Sequence, residues 1–388
     1  MDFIFKECMR QLVPLQYWVV LNRLIRASLV GVLLAALGGA AYAAPFAYIS
    51  NFGSNDVSVI DTSTNIVVAT VPVGIRPVGV AVNPAGSRVY VTNNDSDNVS
   101  VIDTSANTVV ATVGVGSSPF GVAVNPAGTR VYAASRGSST VSVIDTSTNT
   151  VVATVGVGDF PTGVAVNPAG TRVYVTNNDS GNVSVIDTST NTVVATVGVG
   201  DFPYGVAVNP AGTRVYVTNN GSDNVSVIDT STNTVVATVG VGDSPFGVAV
   251  NPAGARVYAA SSGSDNVSVI DTSTNTVVAT VGVGGQPLGV TVNPAGTRVY
   301  VANANPNTVS VIDTSTNTVV ATVGVGSAPF AFGQFVGGPN PPATIPTTIP
   351  TSIPTSIPTL SDYGLMALGT LVGLIGMRRA RKRNPIIC

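Results

Sequence analysis

Residues 141–158 read VSVIDTSTNTVVATVGVG, and the chain writes this phrase seven times with small changes. The aspartate of each copy lies 42 residues after the one before it, without an insertion or a deletion. These aspartates are Asp61, Asp103, Asp145, Asp187, Asp229, Asp271 and Asp313. A fixed period of this length is typical of solenoids, propellers and other repeat arrays, so the fold has to be inferred from the repeat unit.

The 42-residue unit contains four runs that predict β-strands, because Val, Ile, Thr and Tyr dominate them. In one unit they are residues 121–126 (GVAVNP), 130–135 (RVYAAS), 141–145 (VSVID) and 150–157 (TVVATVGV). The NPAGT segment supplies Pro and Gly for a tight turn between the first two strands, and DTSTNT supplies turn residues between the last two. Four short antiparallel strands per unit are typical of a β-propeller blade.

The two ends of the repeat region indicate a closed ring. The region begins at Phe46 with a strand of the second type, and it ends in residues 329–335 (PFAFGQF) with a strand of the first type. Three strands from Phe46 to Val73 and one from Phe330 to Phe335 would complete a seventh blade, which removes the free edges of a solenoid. We therefore predict an all-β, seven-bladed β-propeller over residues 46–336. It has 28 strands in four-stranded antiparallel blades and is closed by pairing three N-terminal strands with one C-terminal strand.

The tetrapeptide YVTN occurs at residues 90–93, 174–177 and 216–219, together with NPAGTRVY and VSVIDT. In these motifs the chain resembles the YVTN family of β-propeller repeat proteins, which are common on microbial surfaces. The resemblance covers the whole repeat region. Other units have YAAS, at Tyr132 and Tyr258, or YVAN, at Tyr300, and these changes keep the character of a strand.

The composition of the repeat region excludes several kinds of chemistry. The chain has no His, and both cysteines (Cys8, Cys388) and both lysines (Lys6, Lys382) lie outside the repeats. Catalysis by Ser-His-Asp and imidazole-bound metals is thereby excluded, and we expect no cofactor and no resident metal. Residues 45–336 contain sixteen Asp, no Glu and eight Arg, a formal net charge of −8. This charge disfavours nucleic acid as a partner.

The N-terminal segment has the order of a secretory signal peptide. Arg23 and Arg26 precede an apolar run over residues 27–41, and the small-residue pattern Ala41-Tyr42-Ala43 follows. We predict a signal peptide with a long leader over residues 1–43, cleaved after Ala43. The true translation start near Leu21 is a further hypothesis. An N-terminal membrane anchor is the alternative, although the apolar run is short for a membrane span.

The C-terminal segment has three parts in a fixed order. A Pro/Thr-rich linker over residues 337–358 is followed by an apolar stretch, residues 360–377, that predicts a transmembrane helix. The basic cluster at residues 378–383 should keep that end in the cytoplasm.

The sequence IPTLSDYGL at residues 357–365 resembles the bacterial IPTL-type C-terminal sorting signal that is associated with exosortase processing. The resemblance implies a sorting signal over residues 357–383, export through the inner membrane and transient membrane retention. It also implies cleavage by an exosortase-type enzyme near Ile357, Pro358, Thr359 and Leu360. A permanent inner-membrane anchor is the alternative.

Because the units are near copies, a position that varies among them is free to serve a purpose other than folding. The NPAG and DTS turns hardly change, whereas the loops before each first strand and between the second and third strands vary. Up-and-down topology places both variable loops on one side of the ring, which we take as the candidate binding surface. Its candidate binding residues are Asp159, Asp201, Asp243, Phe160, Phe202, Tyr204, Phe246, Arg76 and Arg136.

Two interpretations of this surface stay open. The acidic loops, which also contain Asp56, Asp95, Asp97, Asp179, Asp223 and Asp265, could attract cationic groups or bind Ca²⁺ weakly. Alternatively, they form a solvated rim, with the aromatic residues filling gaps between blades. On the opposite side we predict a structural ion pair between Arg88 and Asp103 and its five equivalents. Asp61 should lack this partner, since Phe46 replaces the arginine.

The innermost strands offer Val, Ala and Gly where a catalytic site would need acids and bases. We therefore predict a non-enzymatic, exported propeller at the bacterial cell surface or in the extracellular medium. It would act as an adhesion, binding or matrix module for an extracellular protein or polysaccharide. A lactonase-like or other hydrolytic propeller is the alternative, and a purely structural spacer is the third interpretation.

Overall fold

The computed structural model describes residues 45–337, which form seven four-stranded antiparallel sheets. In chain order the strands are β1 (Phe46–Asn51), β2 (Asp56–Asp61), β3 (Ile66–Pro72), β4 (Pro77–Val82), β5 (Arg88–Asn93), β6 (Asn98–Asp103), β7 (Thr108–Gly114), β8 (Pro119–Val124), β9 (Arg130–Ser135), β10 (Thr140–Asp145), β11 (Thr150–Gly156), β12 (Pro161–Val166), β13 (Arg172–Asn177), β14 (Asn182–Asp187), β15 (Thr192–Gly198), β16 (Pro203–Val208), β17 (Arg214–Asn219), β18 (Asn224–Asp229), β19 (Thr234–Gly240), β20 (Pro245–Val250), β21 (Arg256–Ser261), β22 (Asn266–Asp271), β23 (Thr276–Gly282), β24 (Gly285–Val292), β25 (Arg298–Asn305), β26 (Thr308–Asp313), β27 (Thr318–Gly324) and β28 (Val336–Gly337). One short 3₁₀ helix, Arg136–Ser138, interrupts the described strands.

Each sheet is one blade, and the predicted seven-bladed propeller is confirmed. Strands β28 and β1–β3 form blade 1, and each following set of four strands forms the next blade, up to β24–β27 in blade 7. In blades 2–7 the strands pair in chain order, so the first strand is innermost and lines the central channel, and the fourth is outermost. In blade 1 β28 takes the innermost place. Turns of the NPAG and DTS types connect the strands where the sequence predicted them.

The ring is closed by pairing of the two ends of the repeat region. Strand β28 pairs antiparallel with β1, with Phe46 opposite Gly337 and Ala47 opposite Val336. The sequence placed the closing strand at residues 330–335. Its regular part lies just after them, at Val336–Gly337. Within those residues the bonds to β1 are irregular, from Phe330 N to Ser50 O at 2.8 Å and from Tyr48 N to Phe335 O at 2.9 Å.

An insertion explains why the closing strand is displaced. The other blades read Pro-x-Gly at this point, whereas blade 1 reads Pro-Phe-Ala-Phe-Gly at residues 329–333, two residues longer. The backbone adopts positive φ at Ala331 and Gly333, and the segment bends toward β4 of blade 2. There Val80 N donates to Phe332 O at 2.9 Å. The closing segment therefore joins two blades rather than completing only one.

The hydrophobic core lies between neighbouring sheets. Tyr90 of blade 2, for example, packs in one cluster with Val122, Val131 and Ile144 of blade 3, all at most 2% exposed. The threonine of the YVTN tetrapeptide adds a polar link, because Thr92 Oγ1 donates to Phe120 O of the next blade at 2.6 Å. The same packing recurs around the ring, so each blade depends on both neighbours for burial.

Each outermost strand carries a β-bulge. In blade 3, Val143 pairs with Ala153 and Ile144 with Val151, which leaves Val152 unpaired and 51% exposed. Equivalent bulges occur in the other six blades. A bulge on an edge strand opposes pairing with a strand of another molecule. The rim of the propeller is thus protected against sheet extension, although it exposes Val side chains.

Several predictions concern residues outside the described range. Within residues 45–337 the structure has no helix that is long and apolar enough to cross a membrane. The predicted transmembrane segment at residues 360–377 lies beyond those residues, as do the signal peptide with Ala43, the Pro/Thr-rich linker after Gly337, and the processing residues Ile357–Leu360.

Candidate binding face

The strand register places the two variable loops of every blade on one face of the ring. In blade 3 the first strand starts at the variable loops, where Pro119 pairs with Ser135, and ends at the turns, where Val124 pairs with Val131. We call the side with the variable loops the variable face and the side with the NPAG and DTS turns the turn face. Both variable loops lie on one side, as the sequence predicted.

The two faces differ strongly in charge. The variable face has nine aspartates and two arginines, a formal net charge of −7; they are Asp56, Asp95, Asp97, Asp159, Asp179, Asp201, Asp223, Asp243, Asp265, Arg76 and Arg136. The turn face has seven aspartates and six arginines, a formal net charge of −1. Most of the negative charge of the propeller is thus concentrated on the variable face, where it attracts cations.

Some of these aspartates have a structural role. The Asp97 carboxylate accepts a hydrogen bond from Ser118 N of the next blade at 2.8 Å, and Asp223 does the same for Ser244 N at 2.8 Å. Asp265 likewise accepts from Gln286 N at 2.9 Å. These carboxylates fix the loop of the following blade.

The candidate residues Asp159, Asp201 and Asp243 lie in the loops before the first strands of blades 4, 5 and 6, and all three are exposed. Their backbone N–H groups donate to serine hydroxyls of the same blade at 2.7–2.8 Å. No arginine within residues 45–337 forms an ion pair with their carboxylates. The structure therefore presents three unpaired carboxylates to solvent on consecutive blades.

Phe160 and Phe202 follow the first two of these aspartates and are 38% and 54% exposed. Both have left-handed backbone conformations, with φ of 55° and 51°. The equivalent residue of every other blade adopts the same conformation, with φ of 49–53°. These residues are Arg76, Ser118, Ser244, Gln286 and Ala328. The loop geometry is thus a property of the fold, whereas the exposed phenylalanine rings are specific to blades 4 and 5.

Tyr204 and Phe246 were predicted to lie in the variable loops, but the structure places them in strands. They are the second residues of β16 and β20, half-buried at the mouth of the central channel, with ring centres 4.1 Å apart. Phe246 also packs edge-on against Phe330 at 5.6 Å and Phe332 at 5.9 Å. Together with Phe120 these rings form one aromatic cluster near the variable face.

Sequence reasoning missed Phe52, Phe120, Phe330 and Phe332 as members of this aromatic cluster. A signal was available, because the residue between Pro and Gly in each first strand must lie near the axis of the ring. Phe120, Tyr204 and Phe246 occupy that position. Equivalent residues of a cyclic repeat converge at the axis, however far apart they lie in sequence.

Arg136 is packed into the aromatic cluster. Its guanidinium carbon lies 3.2 Å from the ring centre of Phe120, 4.8 Å from Phe160 and 5.4 Å from Tyr204. Burial lowers the pKa of Arg136 to about 10, although Tyr204 and the negative charge of Asp179 act in the opposite direction. The side chain therefore keeps its charge at neutral pH, held by aromatic faces.

Below the aromatic cluster lies a central cavity of about 350 Å³. The first strands line it with Val and Ala, for example Val122, Ala123 and Val124, and it extends to the NPAG turns at Asn83 and Pro84. No ionisable side chain of the described residues lines this cavity. Among residues 45–337, the polar side chains in its wall are those of Asn83, Thr291 and Gln334.

No three His, Cys, Asp or Glu side chains are grouped closely enough in residues 45–337 to hold a metal ion. No blade supplies more than two aspartates to the variable face: blades 4, 5 and 6 have one in each variable loop, and blade 2 has Asp95 and Asp97 in one loop. The described residues therefore offer no grouped carboxylates for the Ca²⁺ interpretation.

The predicted ion pairs of the turn face are confirmed. Arg88 and Asp103 lie opposite each other on β5 and β6, and the arginine donates to the carboxylate at 2.5 Å. The five equivalent pairs have distances of 2.5–2.6 Å. Asp61 lies opposite Phe46 and has no arginine partner among the described residues, as predicted. The turn face thus balances most of its own charge.

Two family models match parts of the chain. A model of the choice-of-anchor I domain matches residues 121–335, and one of the IPTL-CTERM motif matches residues 355–382. The second match confirms the resemblance to an IPTL-type sorting signal. Together they point to an exported, cell-surface protein. The resemblance to YVTN repeat proteins stays a prediction, because the model matching the repeats is that of the choice-of-anchor I domain. No protein with a curated description matches.

Solved structures with a similar fold include several propellers. Hydrazine synthase of Kuenenia stuttgartiensis shares 26% identity over 71% of this chain and 97% of that chain, with a TM-score of 0.64. A functionally unknown protein from Desulfotomaculum acetoxidans DSM 771 shares 19% over 76% and 99%, with a TM-score of 0.65. The dihydro-heme d1 dehydrogenase NirN in complex with DHE shares 16% over 72% and 63%, with a TM-score of 0.56. The last two show similarity of fold alone.

Proposed function

The chain belongs to the choice-of-anchor I domain family, and we propose that it is a non-enzymatic binding module that recognises an extracellular protein or polysaccharide through its variable face. The IPTL-CTERM match at residues 355–382 supports a site of action outside the cell. The binding role, which includes adhesion or a place in an extracellular matrix, is the finer part of the proposal.

The contrast between the two faces is the observation that supports binding. Seven near-identical blades repeat whatever the fold requires, and the turn face accordingly repeats the same turns and ion pairs. The variable face differs from blade to blade, exposes Phe160 and Phe202, and concentrates negative charge. Exposed aromatic residues beside unpaired carboxylates are typical of recognition surfaces.

The central cavity supports a role other than catalysis. Its wall consists mainly of Val and Ala side chains, and no ionisable side chain of the described residues lines it. A hydrolytic propeller is the alternative, and two of the similar solved structures are enzymes by name. Incubation of the mature protein with a panel of lactones and esters tests this point. We expect no turnover above the uncatalysed rate. Turnover above that rate would establish an enzyme instead.

For the C-terminal segment we propose transient retention in the inner membrane and cleavage by an exosortase-type enzyme near Ile357–Leu360. Intact-mass analysis of the protein from the membrane, cell-surface and medium fractions tests this proposal. We expect surface or medium material that begins near Ala44 and ends between residues 357 and 360. Recovery only from the inner membrane, with residues 378–383 still attached, would show a permanent anchor instead.

A further inference from the structure

The variable face holds both of its own arginines against aromatic rings, and one of them also pairs with a carboxylate. The guanidinium carbon of Arg76 lies 5.3 Å from the ring centre of Phe52, and its Nη1 donates to Asp95 at 3.1 Å. Arg136 is likewise held among aromatic rings, including that of Phe160. Aromatic faces attract cations through their quadrupole, and a carboxylate adds an ionic attraction. The chain therefore shows on its own surface how this face binds a guanidinium.

Phe202 and Asp201 in blade 5 present the same two groups without a cation. The ring is 54% exposed, and the carboxylate is exposed beside it. Within residues 45–337 no arginine lies over the Phe202 ring or forms an ion pair with Asp201. Phe202 and Asp201 thus offer a ring and a carboxylate of the kinds that hold Arg76, although they lie in the other variable loop of their blade.

The fold does not require a phenylalanine at residue 202. Ser118 and Ser244 occupy the equivalent position in blades 3 and 6 with φ of 52° and 51°, the same backbone conformation as Phe202. A large side chain in the left-handed region is unfavourable, and an exposed aromatic ring adds nothing to the core. The residue is therefore explained by what it presents to solvent.

The loop also positions the Phe202 ring. A Cβ atom on Gly221 would lie 2.6 Å from Phe202 Cδ2, so the ring packs directly against the glycine backbone. Blade 6 has a glycine at the same place, Gly263, and an aspartate, Asp243, before its loop serine. Blade 6 thus has every part of the site except the ring.

We infer that Phe202 and Asp201 bind an arginine or lysine side chain of a partner polypeptide. The inference rests on the proposed binding function and specifies its partner. The net charge of −7 on the variable face favours a cationic partner over an acidic or neutral one. A polypeptide is favoured because the cations that lie against aromatic rings on this face are arginine side chains presented by loops. The ring of Phe160 on the neighbouring blade already packs against Arg136, so the inference is confined to blade 5.

Fluorescence anisotropy with the mature protein tests the inference. The probes are labelled peptides of alternating Arg and Ser, of alternating Lys and Ser, and of alternating citrulline and Ser as the uncharged control. We expect saturable binding of both cationic peptides at low ionic strength, weakened by salt, and no binding of the citrulline peptide. Absence of binding by both cationic peptides would overturn the inference.

Variants locate the site. Phe202→Ser reproduces the loop of blades 3 and 6, so the fold should be retained, and Asp201→Asn removes only the charge. Each should weaken binding of the arginine peptide by about three- to thirtyfold, as expected for a lost cation–π contact or ion pair. The matched control Gln286→Ser, at the same loop position in blade 7, should leave affinity unchanged. Equal affinity of Phe202→Ser and Gln286→Ser would contradict the assignment.

A gain-of-binding variant tests it in the other direction. Ser244→Phe places a ring after Asp243 and over Gly263, which should create a second site and raise the affinity for the arginine peptide. Amino-sugar oligomers and spermine are measured beside the peptides. If they bind in a Phe202-dependent way and the peptides do not, a polypeptide partner is refuted. If the variable face binds cells but no cationic probe binds, the inference fails while the proposed function stands.

Discussion

At the scale of single residues, register could be predicted from the sequence but backbone conformation could not. The repeat places Arg88 opposite Asp103, because the short loop at residues 94–97 joins two strands of equal length and fixes their pairing. The left-handed conformation of Phe160 was not predictable, since Arg, Ser, Gln and Ala occupy the same position in other blades. The loop is held by a recurring backbone hydrogen bond, in blade 4 from Asn178 N to Phe160 O at 3.1 Å, which a residue of any type at that position can accept.

The turn-face aspartates should stabilise the fold at neutral pH and lose that effect in acid. The Ser147 hydroxyl, which donates to Asp145, is the largest cause that lowers the pKa of Asp145 from its ordinary value to about 2. A lowered pKa in the folded state means that the stabilisation is present above the unfolded value, near 3.8, and disappears as the pH falls toward 2. Urea unfolding at a series of pH values should show the free energy of unfolding falling across this range.

A pair of variants separates the two causes of the lowered pKa. Ser147→Ala should raise the pKa of Asp145 more than Arg130→Gln does, because the hydroxyl is the largest cause and the arginine the smallest. Carbon-13 NMR titration of the aspartate carboxyl groups measures both shifts, and the resonance that moves identifies Asp145. Asp61, which has Ser63 but no arginine, serves as the natural control. A larger shift from the arginine variant would contradict this order.

At the scale of elements, the first strands of neighbouring blades approach each other closely at a ring of glycines. In the sequence these glycines were visible only as a repeated Gly-Val pair. A Cβ on Gly205 would lie 2.5 Å from Phe246 O of the next blade, and one on Gly163 would lie 2.4 Å from Tyr204 O. The strands were predictable from composition and alternation. The need for glycine was not, because it arises from contact between blades that are 42 residues apart.

Substitution of one of these glycines should be strongly destabilising. Gly205→Ala forces blades 5 and 6 apart, and we expect a loss of about 1–3 kcal/mol in the free energy of unfolding. Gly198→Ala is the matched control, because a Cβ there meets no atom within 4 Å. Its effect should be neutral or slightly stabilising. Thermal and urea unfolding measure both variants, and equal effects would refute a close-approach role for Gly205.

At the scale of the whole molecule, the closed ring could be predicted because the first repeat lacks its first strand and the last segment supplies one. The predicted position of the closing strand was wrong by a few residues. The sequence shows an insertion of two residues there but not how the backbone accommodates it. The aromatic cluster at the channel mouth was missed for a related reason. It depends on seven equivalent positions meeting at the axis, which pairwise sequence comparison does not show.

Closure should determine the cooperativity of unfolding. Phe335 is fully buried in the core cluster that joins blade 1 to its neighbours. Phe335→Ala should therefore lower the free energy of unfolding by about 3–5 kcal/mol. Phe202→Ala, which removes an exposed ring, should change it by less than ~0.5 kcal/mol. If denaturant unfolding gave similar values for the two variants, the closing segment would not be part of the cooperative unit.

The measurement that most directly tests the account is binding of the labelled mature protein to intact cells of the producing strain. One variant alters the variable face, with Asp159→Asn, Asp201→Asn, Phe160→Ser and Phe202→Ser. The control alters four exposed turn-face residues, with Ala127→Ser, Ala169→Ser, Ala211→Ser and Ala253→Ser.

We expect saturable binding by the wild type and the turn-face variant, and at least about tenfold weaker binding by the variable-face variant. Equal binding by the two variants, or no saturable binding by the wild type, would contradict recognition through the variable face.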